Sequence, residues 1–179
     1  MVPPTSVIEA ARRTDSYSAE LRVGLRGPDV RGHASLIAAF VRPDRLRLEM
    51  PGPQGARFVM VARAETLTAV FPGERAVFQG RVSAATIAAI TGVSLTPPAV
   101  MDLLVGTPTT EAADYRVEWA EALPRRVRAT LSDGTRLDVK VARPQVGRTI
   151  AEAAFDPPAH EGYRSVDSAE ARELWLGRR

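Results

Sequence analysis

Chemistry at a protein site usually starts from histidine, cysteine, paired carboxylates or an activated hydroxyl, and this chain offers few such groups. Its two histidines, His33 and His160, lie in unrelated stretches with no metal-ligand spacing around either. His33 falls on the polar side of an alternating segment and reads as a surface histidine. Cysteine is absent from the sequence, which excludes a disulfide, a thiolate zinc site and a cysteine nucleophile within it. No serine sits in a nucleophile elbow with a matching base. Gly52-Pro53-Gln54-Gly55 is no phosphate loop, because Pro53 lacks a backbone donor and no Lys-Ser/Thr pair follows. Carboxylates stand on polar strand positions or in turns, where they are solvated. The expectation is a protein that is not an enzyme and needs no metal or cofactor.

Composition narrows the remaining classes. The chain has 179 residues, of which 45% are hydrophobic, enough for a core, and 1–179 reads as one domain. Net charge is +3, and Lys140 is the only lysine. The arginines run from Arg12 to Arg179, interleaved with 21 acidic residues, and a nucleic-acid surface would need them clustered. No nucleic-acid partner is expected. No apolar run approaches the roughly 20 residues that cross a bilayer. The opening Met1-Val2-Pro3-Pro4-Thr5 lacks the pattern of a secretory leader.

The elements that must carry any site follow from periodicity. Ser6 and Glu9 form a capping-box pair that predicts a helix running to about Arg13. From Tyr17 to Arg26 every odd position is apolar and every even one is polar, charged or glycine, the pattern of a half-buried strand. Gly27-Pro28-Asp29 turns the chain. Further strands are predicted over 30–41, 45–50, 56–63, 66–71 and 75–79, with a loop at 51–55. Short connections between them argue for an antiparallel meander. Ser83 can cap a helix over 84–91 that stops at Gly92, and Thr96 a helix from Pro97 that stops at Gly106. Both helices are apolar nearly all round, so burial on more than one side is expected. Strands return at 115–119, 126–131 and 136–141, the last two joined by an Asp133-Gly134 hairpin. One more strand is predicted over 149–155, and Asp167 can cap a last helix carrying Leu174 and Trp175. The resulting class is α+β, a curved antiparallel β half-barrel covered by helices.

A sheet with one wet face must cover the other, and the apolar helices are the natural cover. The candidate interior comprises Leu21, Val23, Leu25, Leu46, Leu48, Met50, Phe58 and Met60 from strands. Ile87, Ile90, Met101 and Leu104 close it from the helices. Any one of these residues serves equally well as plain core. Together they could leave a gap that accepts hydrocarbon, with the methionines as adaptable lining.

Several motifs in fixed order carry a resemblance. Phe40-Val41-Arg42-Pro43-Asp44-Arg45-Leu46-Arg47-Leu48-Glu49 leads into Pro51-Gly52-Pro53-Gln54-Gly55. Phe78-Gln79-Gly80, Ile90-Thr91-Gly92-Val93-Ser94-Leu95 and Leu103-Leu104-Val105-Gly106-Thr107-Pro108 follow, then the hairpin at Asp133-Gly134 and the tail Phe155-Asp156-Pro157-Pro158. From about Ser6 to Val166 this order resembles the LolA/LolB family of lipoprotein carriers and insertases, the LolB-like outer-membrane lipoproteins in particular. The resemblance implies an incomplete barrel whose apolar interior receives lipoprotein acyl chains or lipid in the periplasm. It also implies a periplasmic carrier protein as partner and, for anchored members, the outer-membrane surface. Family insertases are anchored through an N-terminal cysteine; this sequence contains none, and the expectation is a periplasmic protein, an outer-membrane lipoprotein whose leader and anchor cysteine are absent from this sequence. The characterised insertase carries an exposed leucine in the loop after its third strand, where this chain reads Pro51-Gly52-Pro53-Gln54-Gly55. The resemblance therefore carries over the cavity and leaves the insertion step aside. Two readings stay open: transport of lipoprotein acyl chains, or a non-catalytic structural or lipid-sensing envelope module of the same fold.

Overall fold

The computed structural model describes residues 4–177, so Met1-Val2-Pro3 lie outside it. Period-two alternation builds most of the molecule. Helix α1 (Thr5–Arg12) leads into a run of six strands: β1 (Ser16–Arg26), β2 (Arg31–Val41), β3 (Arg45–Gly52), β4 (Gly55–Arg63), β5 (Thr66–Phe71) and β6 (Ala76–Arg81). Helices α2 (Ala84–Thr91) and α3 (Pro97–Leu104) interrupt the strands. Then come β7 (Ala112–Ala120), β8 (Leu123–Leu131), β9 (Arg136–Val146), the two-residue β10 (Arg164–Ser165) and helix α4 (Ser168–Leu176). The described strands form one open sheet in the order β10-β6-β5-β4-β3-β2-β1-β9-β8-β7. Every pairing is antiparallel except β10 beside β6. The fold class expected from the sequence, α+β with an unclosed, mainly antiparallel sheet, is the one observed.

The step from β9 back to β1 joins the two strand groups. Leu21, Val23 and Leu25 of β1 stand opposite Val141, Val139 and Leu137 of β9. On the other side they face Leu36, Ala34 and Gly32 of β2. Both helices cover this face of the sheet. Ile87, Ile90, Met101 and Leu104 pack into the same core as Leu21, Phe40, Leu46 and Met60. A second core lies under β8 and β9, where Leu95, Ala99 and Leu103 meet Val127, Ala129 and Leu137.

Helix ends follow the capping chemistry. The Ser83 hydroxyl accepts from the Thr86 amide at 3.0 Å, and the Thr96 hydroxyl from the Ala99 amide at 3.3 Å. Asp167 caps α4 by accepting from the Glu170 amide at 2.8 Å. Gly92 ends α2 in the left-handed region at φ +78°, where side chains are disfavoured. The expected box at α1 does not form: the helix starts two residues earlier, at Thr5 with Pro4 before it and no side-chain cap, and the Val7 amide donates to the Pro4 carbonyl at 2.9 Å. Proline at this position sets an extended entry to the helix and leaves its own carbonyl to begin the turn.

The segment 149–155 is the larger correction. It is not a strand but extended chain ending in a single 3₁₀ turn, Glu152–Phe155. The strands beside it offer no edge, because β9 already lies between β1 and β8 and β6 is edged by β10; the free edge, β7, is at the far end of the sheet. Instead it crosses the outer face and seats Phe155, fully buried, on Val59 and Val61. That explains the unbroken apolar run Phe58-Val59-Met60-Val61-Ala62: β4 is buried on both faces. Burying Phe155 is worth about 1.5–3 kcal/mol. The predicted loop at 51–55 is also tighter than expected, a hairpin pairing Gly52 with Gly55 after a bulge at Pro51.

Candidate functional site

Alternation along β1 sends Leu21, Val23 and Leu25 inward, and the neighbouring strands bring Leu36, Leu46, Leu48, Met60, Leu137 and Val139 to the same face. Above them stand Ile87 and Thr91 of α2, Val93 and Leu95 of the connection, Val100, Leu103 and Leu104 of α3, and Trp175 of α4. Between the two sets lies a cavity of about 110 Å³. Thr91 brings the one hydroxyl to its wall, and that hydroxyl is already engaged: it donates to the Ile87 carbonyl at 2.8 Å and accepts from the Val93 amide at 3.1 Å. Trp175 packs edge-on against Phe58 with ring centroids 4.9 Å apart. Such a wall rewards burial of hydrocarbon and offers little to orient a polar ligand.

Of the residues singled out from sequence, Leu21, Val23, Leu25, Leu46, Leu48, Met60, Ile87 and Leu104 line this cavity. Met50, Phe58, Ile90 and Met101 belong to the adjoining core but do not reach the wall. Ile90 and Met101 are completely buried against protein. Sequence reasoning did not single out Leu36, Leu137, Val139 or Trp175. Leu36 sits in a run, Leu36-Ile37-Ala38-Ala39-Phe40, too uniformly apolar to reveal which residues face inward. Leu137 and Val139 alternate cleanly, but only the distant β1–β9 pairing carries them to this site.

The two helices are held differently. The Arg42 guanidinium of the β2–β3 turn donates to Asp102 of α3 at 2.8 Å. The Thr96 hydroxyl, at the start of α3, donates to Glu111 at 2.8 Å. Helix α2 instead rests on α4, where Arg172 donates to the Ala88 carbonyl at 3.2 Å and to the Asp29 carbonyl at 2.7 Å. Tyr17, stacked on Phe40 at 5.2 Å, and Tyr115 have buried hydroxyls without partners among the described residues. Burial raises both phenols well above the ordinary tyrosine range, with the Asp102 charge adding to the effect at Tyr115. Neither is poised to lose its proton. His33 stands on the outer face beside Gly24, and His160 has Nδ1 2.8 Å from the Pro158 carbonyl, so the two serve no common site.

No protein-family model matches the sequence, and no curated protein does. Solved structures do match the fold. A LolA superfamily protein from Nitrosomonas europaea aligns over 88% of this chain and 99% of its own, at TM-score 0.53 and 11% identity. A DUF1329 family protein from Desulfovibrio piger aligns over 90% of this chain and 100% of its own, at TM-score 0.53 and 12% identity. An uncharacterized conserved protein from Thermus thermophilus covers 90% of this chain and 95% of its own, at TM-score 0.52 and 11% identity. At such identities the likeness is one of fold, and the fold of this chain is LolA/LolB-like.

Proposed function

We propose that this chain binds the acyl chains of lipoproteins, or lipid of similar chemistry, in the apolar space between sheet and helices. On this reading it is a non-catalytic, single-domain carrier needing no cofactor. The observation that carries the proposal is the cavity wall: leucine, isoleucine, valine and methionine from five strands and the helices, with its one hydroxyl already satisfied. Each methylene taken out of water there is worth about 0.8 kcal/mol. The LolA/LolB-like fold supports the same reading, as does the order of sequence motifs. A periplasmic location and exchange with another carrier protein go with it. Attachment to the outer membrane through a lipid-bearing N-terminal cysteine outside this sequence belongs to the same reading. Insertion into the membrane is not part of the proposal, because the β3–β4 hairpin tip is Pro53-Gln54, without a leucine to lead.

One observation favours a second reading. The cavity, about 110 Å³, is smaller than the roughly 150 Å³ apolar cavity known to hold benzene. A space of this size holds only part of an acyl chain unless a helix moves, so a module whose interior stays filled, structural or lipid-sensing, fits this arrangement. Native mass spectrometry of protein from an expressing host separates the two. Carriage predicts co-purified lipid or lipopeptide, lost when the protein is washed with detergent. A clean apo mass, with no uptake of added triacylated peptide, would favour the filled module.

A further inference from the structure

The face of β1 that points away from the cavity carries a different chemistry. Arg22, Gly24 and Arg26 alternate outward, and cross-strand pairing extends each position into a row across the sheet. Arg26 stands opposite Arg31 of β2 and Arg136 of β9. Arg22 stands opposite Ser35 and Lys140, and Lys140 stands opposite Arg126 of β8. Between these two cationic rows runs a middle row of His33, Gly24, Asp138 and Arg128. Gly24 has no side chain, and two adjoining recesses of about 670 and 380 Å³ open there, sharing Gly24, His33 and Asp138.

The charges in this trough are unevenly satisfied. Arg126 is held by Asp138, and Arg128 by Glu118. Arg22, Arg26, Arg31, Arg136 and Lys140 are exposed and have no acidic partner among the described residues. Residues four apart on a strand are about 13 Å apart, so the Arg22 and Arg26 rows stand on either side of a channel of that width. An extended polypeptide sends successive side chains to opposite sides, so one lying along the channel presents alternate carboxylates to the two rows. Arginine suits this task because its fork engages a carboxylate through two hydrogen bonds.

We propose that this trough is a docking surface for an extended acidic segment of a partner protein. A flat headgroup surface would rest on the rims and leave the recesses filled with water. Asp138, within the trough, opposes a continuous sheet of anions but is avoided by a chain whose carboxylates are spaced. The cations come from four strands, two hairpins distant in sequence, and the β2–β1–β9–β8 order collects them. Because cavity and trough occupy opposite faces of the same strands, the docking proposal stands or falls apart from lipid binding.

The test is fluorescence anisotropy of a labelled alternating glutamate–serine peptide at low ionic strength, with the full chain. Phosphatidylglycerol vesicles and a single-stranded oligonucleotide serve as alternative probes. The double substitution Arg26→Glu/Arg136→Glu lies at exposed positions, and circular dichroism checks that it folds. Arg12→Glu/Arg81→Glu makes the same change in net charge away from the trough. The expected result is peptide binding by wild type, weakened roughly tenfold or more by the trough pair and little changed by the control pair. Equal weakening by both pairs, no binding by wild type, or preference of the trough for vesicles or oligonucleotide over peptide would overturn the proposal.

Discussion

Helices α2 and α3 are alike in sequence and unlike in attachment. Each spans eight residues, is capped by a hydroxyl and is apolar nearly all round. Yet α3 buries Pro97, Ala99, Met101, Leu103 and Leu104, bridges the two cores and is tied at both ends by Arg42–Asp102 and Thr96–Glu111. Helix α2 fully buries only Ile87, Ile90 and Thr91, and its outer support is the terminal helix α4. Hydrophobicity alone does not decide which cover is fixed; the partners of a few polar groups do. The difference implies that an opening cavity would release α2 with α4 and leave α3 in place, since mobile elements are those with the weakest local hold.

The largest effects should separate the two helices by what surrounds their side chains. Met101→Ala removes a fully enclosed side chain of α3 and is expected to cost about 3–4 kcal/mol. Ile87→Ala, on α2, already borders empty space and should cost about 2 kcal/mol. Urea denaturation measures both, and equal losses would erase the distinction. The helix ends make a second pair. Gly106, beyond α3, has φ +78°, and a Cβ there would lie 2.5 Å from the Trp119 ring and 2.8 Å from Pro124. At Gly92, beyond α2, φ is also +78°, and a Cβ would lie 2.8 Å from that of Val30. Alanine should cost about 3 kcal/mol at Gly106 and about 2 kcal/mol at Gly92. The reverse order would mean that the α2 end is the more rigid.

Smaller effects sharpen the comparison. Arg172→Ala should cost about 0.5–1 kcal/mol overall. Its diagnostic consequence is faster hydrogen exchange in α2 with α3 unchanged; equal acceleration in both helices would deny α2 a separate motion. The smallest effect concerns the outer face. The hydrogen bond from Arg126 holds the Asp138 carboxyl below its ordinary range. A carboxylate with a lowered folded-state pKa adds stability above its unfolded value, about 3.9, and that contribution is lost as pH falls through the folded value. Asp138→Asn should therefore flatten the stability profile slightly below about pH 4, seen as a smaller acid-induced shift in Tm. An unchanged profile would mean that the pair is fully screened by solvent.

Local features were legible in the sequence and distant ones were not. The alternation of Tyr17–Arg26, the hydroxyl caps at Ser83 and Thr96 and the stops at Gly92 and Gly106 are encoded within a few residues. The β1–β9 pairing is not, because nothing near Leu137 or Val139 names a partner more than a hundred positions away. That pairing completes the cavity, and it also gathers arginines that look scattered along the chain into facing rows. The segment 149–155 misled for a related reason: its apolar residues serve a face of β4 that the alternation of a strand would have left to solvent. Met50 and Phe58 share the alternation of Leu48 and Met60, and Ile90 and Met101 the apolar character of their helices; neither pattern distinguishes a cavity wall from the core behind it.

The central claim is that hydrocarbon enters between sheet and helices, and it is tested by filling that space from either side. Leu104→Trp projects from α3 and Val23→Trp from β1, both at the cavity wall. Binding of a fluorescent fatty acid and of a triacylated peptide is titrated against wild type and each variant, compared at matched distance below Tm. The account predicts saturable binding by wild type and a loss of roughly tenfold or more in both variants. Unchanged affinity in the two tryptophan variants, or no binding by wild type, would contradict it and leave a protein whose interior serves only to hold its fold.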